Sequence, residues 1–369
     1  MVADTTPNVP VTPSNSGTQL FGRKYQLIVK TAPDTSGNQT VLTVTDSAFE
    51  PEALRMTFEV VTSWWSAPWY ANISIYNLNE QTANLLLTQG QNSATPATTA
   101  PNATGQTIPI QAGMEVILYA GYQNNNNYGV IWDGYVLQPM WIRENQTDFK
   151  LTLHCINWLG LIGRNSIAAN PQAGATQQQV VAAIAAQSYH PIGVGQITSQ
   201  LGNKSLPRGK VMFGSPGKYL NEIARDNNMQ WWLSQKGLLN FSGLEEGLSE
   251  SYNNPQVYTP PGGNRDGVII GTPSQTQLGV NFRILLDSTV QVKKPAMCVK
   301  IDQTQVQQLE RTAGVGPGFL SQTGTYVVFG ATYRGDTRGQ DWYTDVVGLL
   351  TTQEATAMGV VPPGVQLTS

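Results

Sequence analysis

Few residues in this chain could do chemistry, and their spacing decides most of what they can do. There are two histidines, His154 and His190, and two cysteines, Cys155 and Cys298, in 369 residues. His154 lies on the polar side of an alternating run in which Phe149, Leu151, Leu153 and Cys155 share the apolar side, so a structural or solvated role is expected. His190 stands before Pro191 at a helix end, where an imidazole meets terminal carbonyls. Cys155 reads as a core thiol, inert through burial, and Cys298 has no histidine near it in sequence. No Gly-x-Ser-x-Gly elbow supplies a nucleophile. Scattered Cys and His give no zinc spacing, and no Asp-x-Asp-x-Asp loop offers a calcium site. Gly214-Ser-Pro-Gly217-Lys218 imitates part of a phosphate-binding loop. However, Met212 stands where the first glycine is needed, and Tyr219 follows the lysine where Ser or Thr belongs. A helix beginning at Ser215-Pro216 accounts for the segment, and Gly314-Val-Gly316-Pro-Gly318 precedes no helical pattern. Glu245-Glu246, or Asp336 with Asp341, are conceivable carboxylate pairs, but they fall in loops and read as solvated acids. Trp64, Trp65, Trp69 and Tyr70 could form a ligand platform. On a strand–turn–strand unit they fit a core edge or a protein interface better, and they are the interface candidates. No catalytic, cofactor-binding or metal-ligating residue is expected, and no cofactor.

The composition supports that reading. Charged residues make up 12% of the chain, against roughly 25% in an average soluble domain. Gly, Asn, Gln, Thr and Ser fill the difference, with 36 Gly and 22 Pro as punctuation. Such a neutral polar surface suits a strand-and-turn protein covered by other proteins. A net charge of −3 argues against a dedicated nucleic-acid binder that works by phosphate neutralisation. The N-terminus lacks the basic and apolar regions of a signal peptide, and no apolar run reaches membrane-span length. Two cysteines cannot build a disulfide framework, so reduced thiols from a cytoplasm are expected.

The elements that must position these residues are mainly strands. Residues 1–19 read as a flexible Pro/Thr/Ser/Asn-rich arm. A first strand covers Phe21–Lys30, and a short one Val41–Val44. In Leu54–Leu87, residues Leu54, Met56, Phe58 and Val60 alternate with Arg55, Thr57 and Glu59. A second strand carries Ala71, Ile73 and Ile75, and Asn79 caps a helix that Gly90 ends. Gln91–Pro109 is a long loop, of the functional or mobile kind. Met114–Tyr122, Tyr128–Met140 and Thr147–Asn157 complete a curled sheet or barrel over residues 20–160. Thr176–Tyr189 is a helix with a Thr176/Gln179 capping box. Ser215–Asn228 is a second helix, followed by a hairpin of Gln230–Ser234 and Leu238–Phe241, so residues 161–250 read as a small α/β domain. Strands resume at Gly267–Ile270, Gly279–Leu286 and Met297–Ile301. Thr325–Tyr333 and Trp342–Leu350 close a second β domain over residues 251–350, and residues 351–369 read as a frayed tail.

In order, these segments resemble baseplate hub proteins of contractile-tailed bacteriophages, including the late control D group. Ala71–Leu78 (ANISIYNL) with its helix, Gly113–Tyr122 (GMEVILYAGY) and Tyr128–Tyr135 (YGVIWDGY) resemble the family's first β unit. Ser215–Phe241 is similar to its helix-plus-hairpin domain. Gly271–Leu286 (GTPSQTQLGVNFRILL) and Thr325–Thr344 (TYVVFGATYRGDTRGQDWYT) resemble its Gly-x-Pro segment and closing hairpin. The Trp64–Trp69 turn, the Gln91–Pro109 loop and the Asn run depart from the pattern.

The resemblance implies a mainly β (α+β) fold, with two tail-tube-like β-barrel domains and a small α/β domain between them. It implies a structural virion protein, a homotrimer in the tail baseplate assembled in the host bacterial cytoplasm, and the absence of a catalytic motif makes a non-enzyme the expectation. Its expected partners are the tail tube protein, the central spike protein and other baseplate proteins, with phage DNA passing through the lumen without sequence-specific binding. The hub would join a six-fold tube to a three-fold spike. The alternatives are a hub or spike component of a related contractile injection or secretion system and, behind it, a peptidoglycan-degrading tail enzyme.

Overall fold

The computed structural model describes residues 22–31, 41–45, 54–64, 68–91, 99–101, 107–109, 114–122, 128–157, 166–187, 193–234, 238–243, 252–259, 268–292, 297–304, 306–308 and 318–359. The first part of the chain forms β1 (Arg23–Lys30), β2 (Val41–Thr45), β3 (Met56–Ser63), β4 (Tyr70–Tyr76) and helix α1 (Glu80–Gln91). It continues with β5 (Thr99–Pro101), β6 (Thr107–Pro109), β7 (Glu115–Tyr122), β8 (Gly129–Arg143) and β9 (Phe149–Ile156). The period-two pattern is realised as read: Met56, Phe58 and Val60 are buried, while Thr57 and Glu59 are half-buried on the other face. Asn79 caps α1, its Oδ1 accepting the Gln81 N–H at 2.9 Å. The stretch Gln91–Pro109, read as a loop, contains the short β5–β6 pair.

The middle of the chain holds β10 (Ile167–Ala169), α2 (Gln177–Gln187), β11 (Gly193–Ile197), β12 (Met212–Gly214), α3 (Pro216–Asp226), β13 (Gln230–Leu233) and β14 (Leu238–Ser242). The capping box forms in both directions: Gln179 N–H to Thr176 Oγ1 at 3.2 Å, and Thr176 N–H to Gln179 Oε1 at 2.9 Å. Pro216 opens α3, and Asn228, with a φ of 53°, turns the chain out of it. These elements gather around their own apolar core, with Val181, Ile184, Leu220 and Phe241 buried in it.

The last part supplies β15 (Gln256–Tyr258), β16 (Ile269–Thr276), β17 (Gly279–Leu285), β18 (Cys298–Ile301), β19 (Thr325–Asp336), β20 (Trp342–Leu349) and α4 (Thr352–Ala357). Helix α4 stands where a frayed tail was expected. The hydroxyl of Thr351 caps it by accepting the Glu354 N–H, a local device that needs no tertiary support.

The strands from residues 20–160 and 251–350 join one 13-stranded sheet, ordered β16-β17-β20-β19-β3-β4-β9-β8-β7-β1-β2, with β18 and β15 branching from β19. The seam is the antiparallel pair β3–β19, from Gly330 opposite Ser63 to Asp336 opposite Thr57. One apolar core runs across the seam. Among the described residues, no pairing joins the two ends of this order. The sheet nevertheless curls, because Trp342 on β20 donates its indole N–H to Gly121 O on β7 and meets Tyr25 of β1 and Phe58 of β3 edge-on.

The two β regions repeat one path. In the first, the spatial order is β3-β4-β9-β8-β7; in the second it is β16-β17-β20-β19-β18, antiparallel throughout. The registers also agree. Tyr135 pairs with Ile156 and Val136 with Cys155, then a bulge follows before Gln138 pairs with His154. Val327 pairs with Leu349 and Val328 with Gly348, then a bulge follows before Gly330 pairs with Val347. Just ahead of each bulge, a backbone N–H reaches the carbonyl of a methionine: Val136 to Met114 at 2.9 Å, and Val328 to Met297 at 2.8 Å. Bulges at matching positions bend and twist their strands alike.

Candidate assembly surface

The residues singled out for chemistry are used as structure. His154 is half-buried on β9, its Nδ1 at 2.7 Å from Asn72 Oδ1. Cys155 and Cys298 are free and buried. Burial pushes the Cys298 thiol up to about 12 and raises that of Cys155 further, so both stay protonated. Asp336 lies at the end of β19, bonded to Arg55 Nη2 at 2.7 Å, and the Asp336 N–H donates to Asp341 O. His190 and Glu245-Glu246 lie outside the described residues. Among the described residues, no group of three or more His, Cys, Asp or Glu side chains is placed to hold a metal.

Of the aromatic turn, Trp64 and Trp69 are buried, at 2% and 4% exposure, whereas Tyr70 is 49% exposed. The Trp64 ring lies 5.7 Å from that of Trp232 on β13. Trp69 donates its indole N–H to Ser63 O at 2.8 Å. Asn157, fully buried, accepts the Trp69 backbone N–H at 3.1 Å and donates to Leu233 O at 2.7 Å. The turn therefore ties the large sheet to β13, and Tyr70 is its described exposed member. Trp65 lies outside the described residues.

Reading the strands singly missed a polar row that crosses the open face of the large sheet. Arg283 on β17 bonds Asp345 on β20 at 2.7 Å, Arg334 on β19 reaches Asp345 at 3.2 Å, and Arg334 bonds Glu59 on β3 at 2.7 Å. Glu59 stands opposite Asn72, Asn72 opposite His154, and His154 opposite Gln138. Alternation marked Glu59, Asn72 and His154 as polar strand positions, but register alone places the row side by side, and Arg334, which falls beyond the strand expected at Thr325–Tyr333, lies within β19. Two arginines face two carboxylates, so the row carries no net charge and its members satisfy one another. The Glu59 bond raises Arg334, and the Asp345 bond raises Arg283, above the ordinary guanidinium value, so both remain cationic.

A second feature appears only in the sheet order. The flank of β8 after its bulge, 138–143, pairs with β9 on one side and, among the described residues, with no strand on the other. Leu137 at the bulge and Ile142 on this flank are 44% and 40% exposed. An unpaired strand flank bearing apolar side chains is a ready template for another strand.

The arrangement is one of extended sheet, a neutral polar face and an open strand flank, and it resembles known tail proteins in fold. The tail protein from Neisseria meningitidis MC58 matches over 89% of this chain and 98% of that one, with a TM-score of 0.52 and 10% identity. The 43 kDa tail protein of prophage MuSo2 from Shewanella oneidensis matches over 88% and 98%, with a TM-score of 0.48 and 8% identity. A type VI secretion system component from E. coli matches over 83% and 76%, with a TM-score of 0.48 and 9% identity. No protein-family profile matches the chain, and no curated protein matches its sequence. At the level of fold, the chain is β-rich and similar to a known tail protein.

Proposed function

We propose that this chain is a structural virion protein, a trimeric baseplate hub that joins a six-fold tail tube to a three-fold central spike. The observation that carries the reading is the internal repeat: two β units with the same strand path, register and bulge in one chain. Three such chains present six equivalent units around an axis, which matches a six-fold ring on one side while remaining three-fold on the other. The fold shared with a tail protein supports the same reading. Each unit then acts as a tube-like barrel segment, with the small α/β domain carried between them and Tyr70 as a candidate neighbour contact. The neutral row Arg283–Asp345–Arg334–Glu59 suits a channel wall that lets DNA pass without holding it. The role is assembly, without catalysis, in the tail baseplate after assembly in the host cytoplasm.

Imaging of hub-containing tails tests the reading. A ring of three-fold symmetry with a central hole, containing three copies by mass, is expected. A single copy per assembled tail, or peptidoglycan lysis by the purified chain, would overturn it.

A further inference from the structure

The small α/β domain carries the two most exposed large apolar side chains among the described residues, Val211 just ahead of β12 and Phe213 within it, at 78% and 77%. Met212 between them is buried in the domain core, so strand alternation sends both neighbours outward. Phe213 is held firmly in that pose. The Tyr219 hydroxyl on α3 accepts the Phe213 N–H at 3.0 Å and donates to Phe213 O at 3.1 Å. Both backbone groups are thus taken, and a partner must engage the side chain rather than add a strand. Across the β10–β12 pair Phe213 stands opposite Ala168, itself exposed and too small to cover the ring. The next residue, Gly214, has a φ of 118° and open space where a side chain would stand. An uncovered ring on a fixed backbone loses little freedom when it is bound.

The same tyrosine gathers cations. Lys210 Nζ and Lys218 Nζ each lie 5.7 Å from the centre of the Tyr219 ring. Lys204, Arg208 and Lys218 are exposed. Glu222, bonded to Lys210 at 2.6 Å, is the only acid between residues 199 and 222. Four bases less one acid give this stretch +3 inside a chain of −3, so the remainder carries −6.

We propose that Val211 and Phe213 form a prong by which the small domain docks into an apolar, acid-rimmed groove on a different protein of the tail, with Lys204, Arg208 and Lys218 meeting its carboxylates. This rests on the hub reading and gives that hub a partner of stated chemistry. Buried apolar anchors supply most of the affinity at an interface, and the charges around them select the partner and speed its encounter. The same surface on a second copy is the wrong occupant, because +3 would face +3. Single-stranded nucleic acid is held by successive aromatic platforms along a basic groove, whereas here one ring stands beside an aliphatic side chain. Anionic membranes are recognised by clusters of roughly four to eight bases, more than this patch offers.

A photoreactive benzoylphenylalanine in place of Phe213 tests the contact in assembled tails. Illumination should join the chain to a different tail protein, through a segment of net negative charge. Phe213→Ser should leave the urea midpoint of the chain unchanged, since the ring is exposed, yet lower the copies of that partner per tail by about tenfold or more. Arg208→Glu with Lys218→Glu should lower them likewise. Adducts to a second copy of the chain, to lipid or to DNA, no adduct at all, or full partner content in both variants would overturn the prong, while tails holding three copies of the chain keep the hub reading intact. Tails with a single copy of the chain would overturn both.

Discussion

Asp336 shows how a carboxylate with the look of chemistry serves the architecture. Burial alone would push its carboxyl up. The bond from Arg55 and the backbone N–H groups of Arg338 and Gly339 outweigh that effect and leave it below the usual carboxylate range. A group whose folded value is depressed adds stability above its unfolded value, near 3.9, and loses it as pH falls through the folded value. Asp336→Asn should therefore lower stability at pH 7 by about 1 kcal/mol or less, because Arg55 is 46% exposed and screened by solvent. The gap from wild type should shrink as pH drops below 4, which urea unfolding at several pH values would read. The inertness of Cys155 was legible in the sequence because period-two alternation decides burial. The role of Asp336 was not, since its partner Arg55 lies 281 positions away.

At the scale of elements, local signals were read well and remote ones poorly. The capping box of α2 and the Ser215-Pro216 start of α3 are written in neighbouring residues, and the structure forms both. Helix α4 and the β5–β6 pair were missed, because short polar Thr-rich segments resemble loops until a cap or a partner strand is known. The seam between β3 and β19 escaped notice for a different reason: alternation says which face a residue takes, not which strand lies beside it. The sequences of the two β units also differ at most matched positions, Pro139 against Ala331 and Ile142 against Arg334, so the repeat is visible only in register. Asn157 tests the tie between sheet and β13. Asn157→Ala leaves the Trp69 N–H and Leu233 O unpaired in a buried place and should cost about 1–3 kcal/mol. Chemical denaturation would measure the loss, and tryptophan fluorescence should report loosening around Trp64 and Trp232.

At the scale of the molecule, the neutral row across the open face makes a prediction about DNA. Assembled wild-type rings should retain little duplex at physiological salt. Glu59→Lys with Asp345→Lys removes two negative and adds two positive charges, shifting the net charge by +4 per chain, and should produce binding that weakens steeply with salt. A gel-shift series across salt concentrations reads this. Strong retention by the wild type would show that the face is not the channel wall.

The seam also bears on how the chain is made. Thr62 on β3 donates its hydroxyl to Ala331 O on β19, across 269 positions of sequence. At ribosomal speeds of about 5–20 residues per second, β19 emerges roughly 13–54 s after β3. Throughout that interval the first β unit can fold its own hairpins but cannot cover the outer flank of β3. The nascent chain is then most open to mispairing along the outer flank of β3, and the two β units join into one sheet only once β19 has emerged.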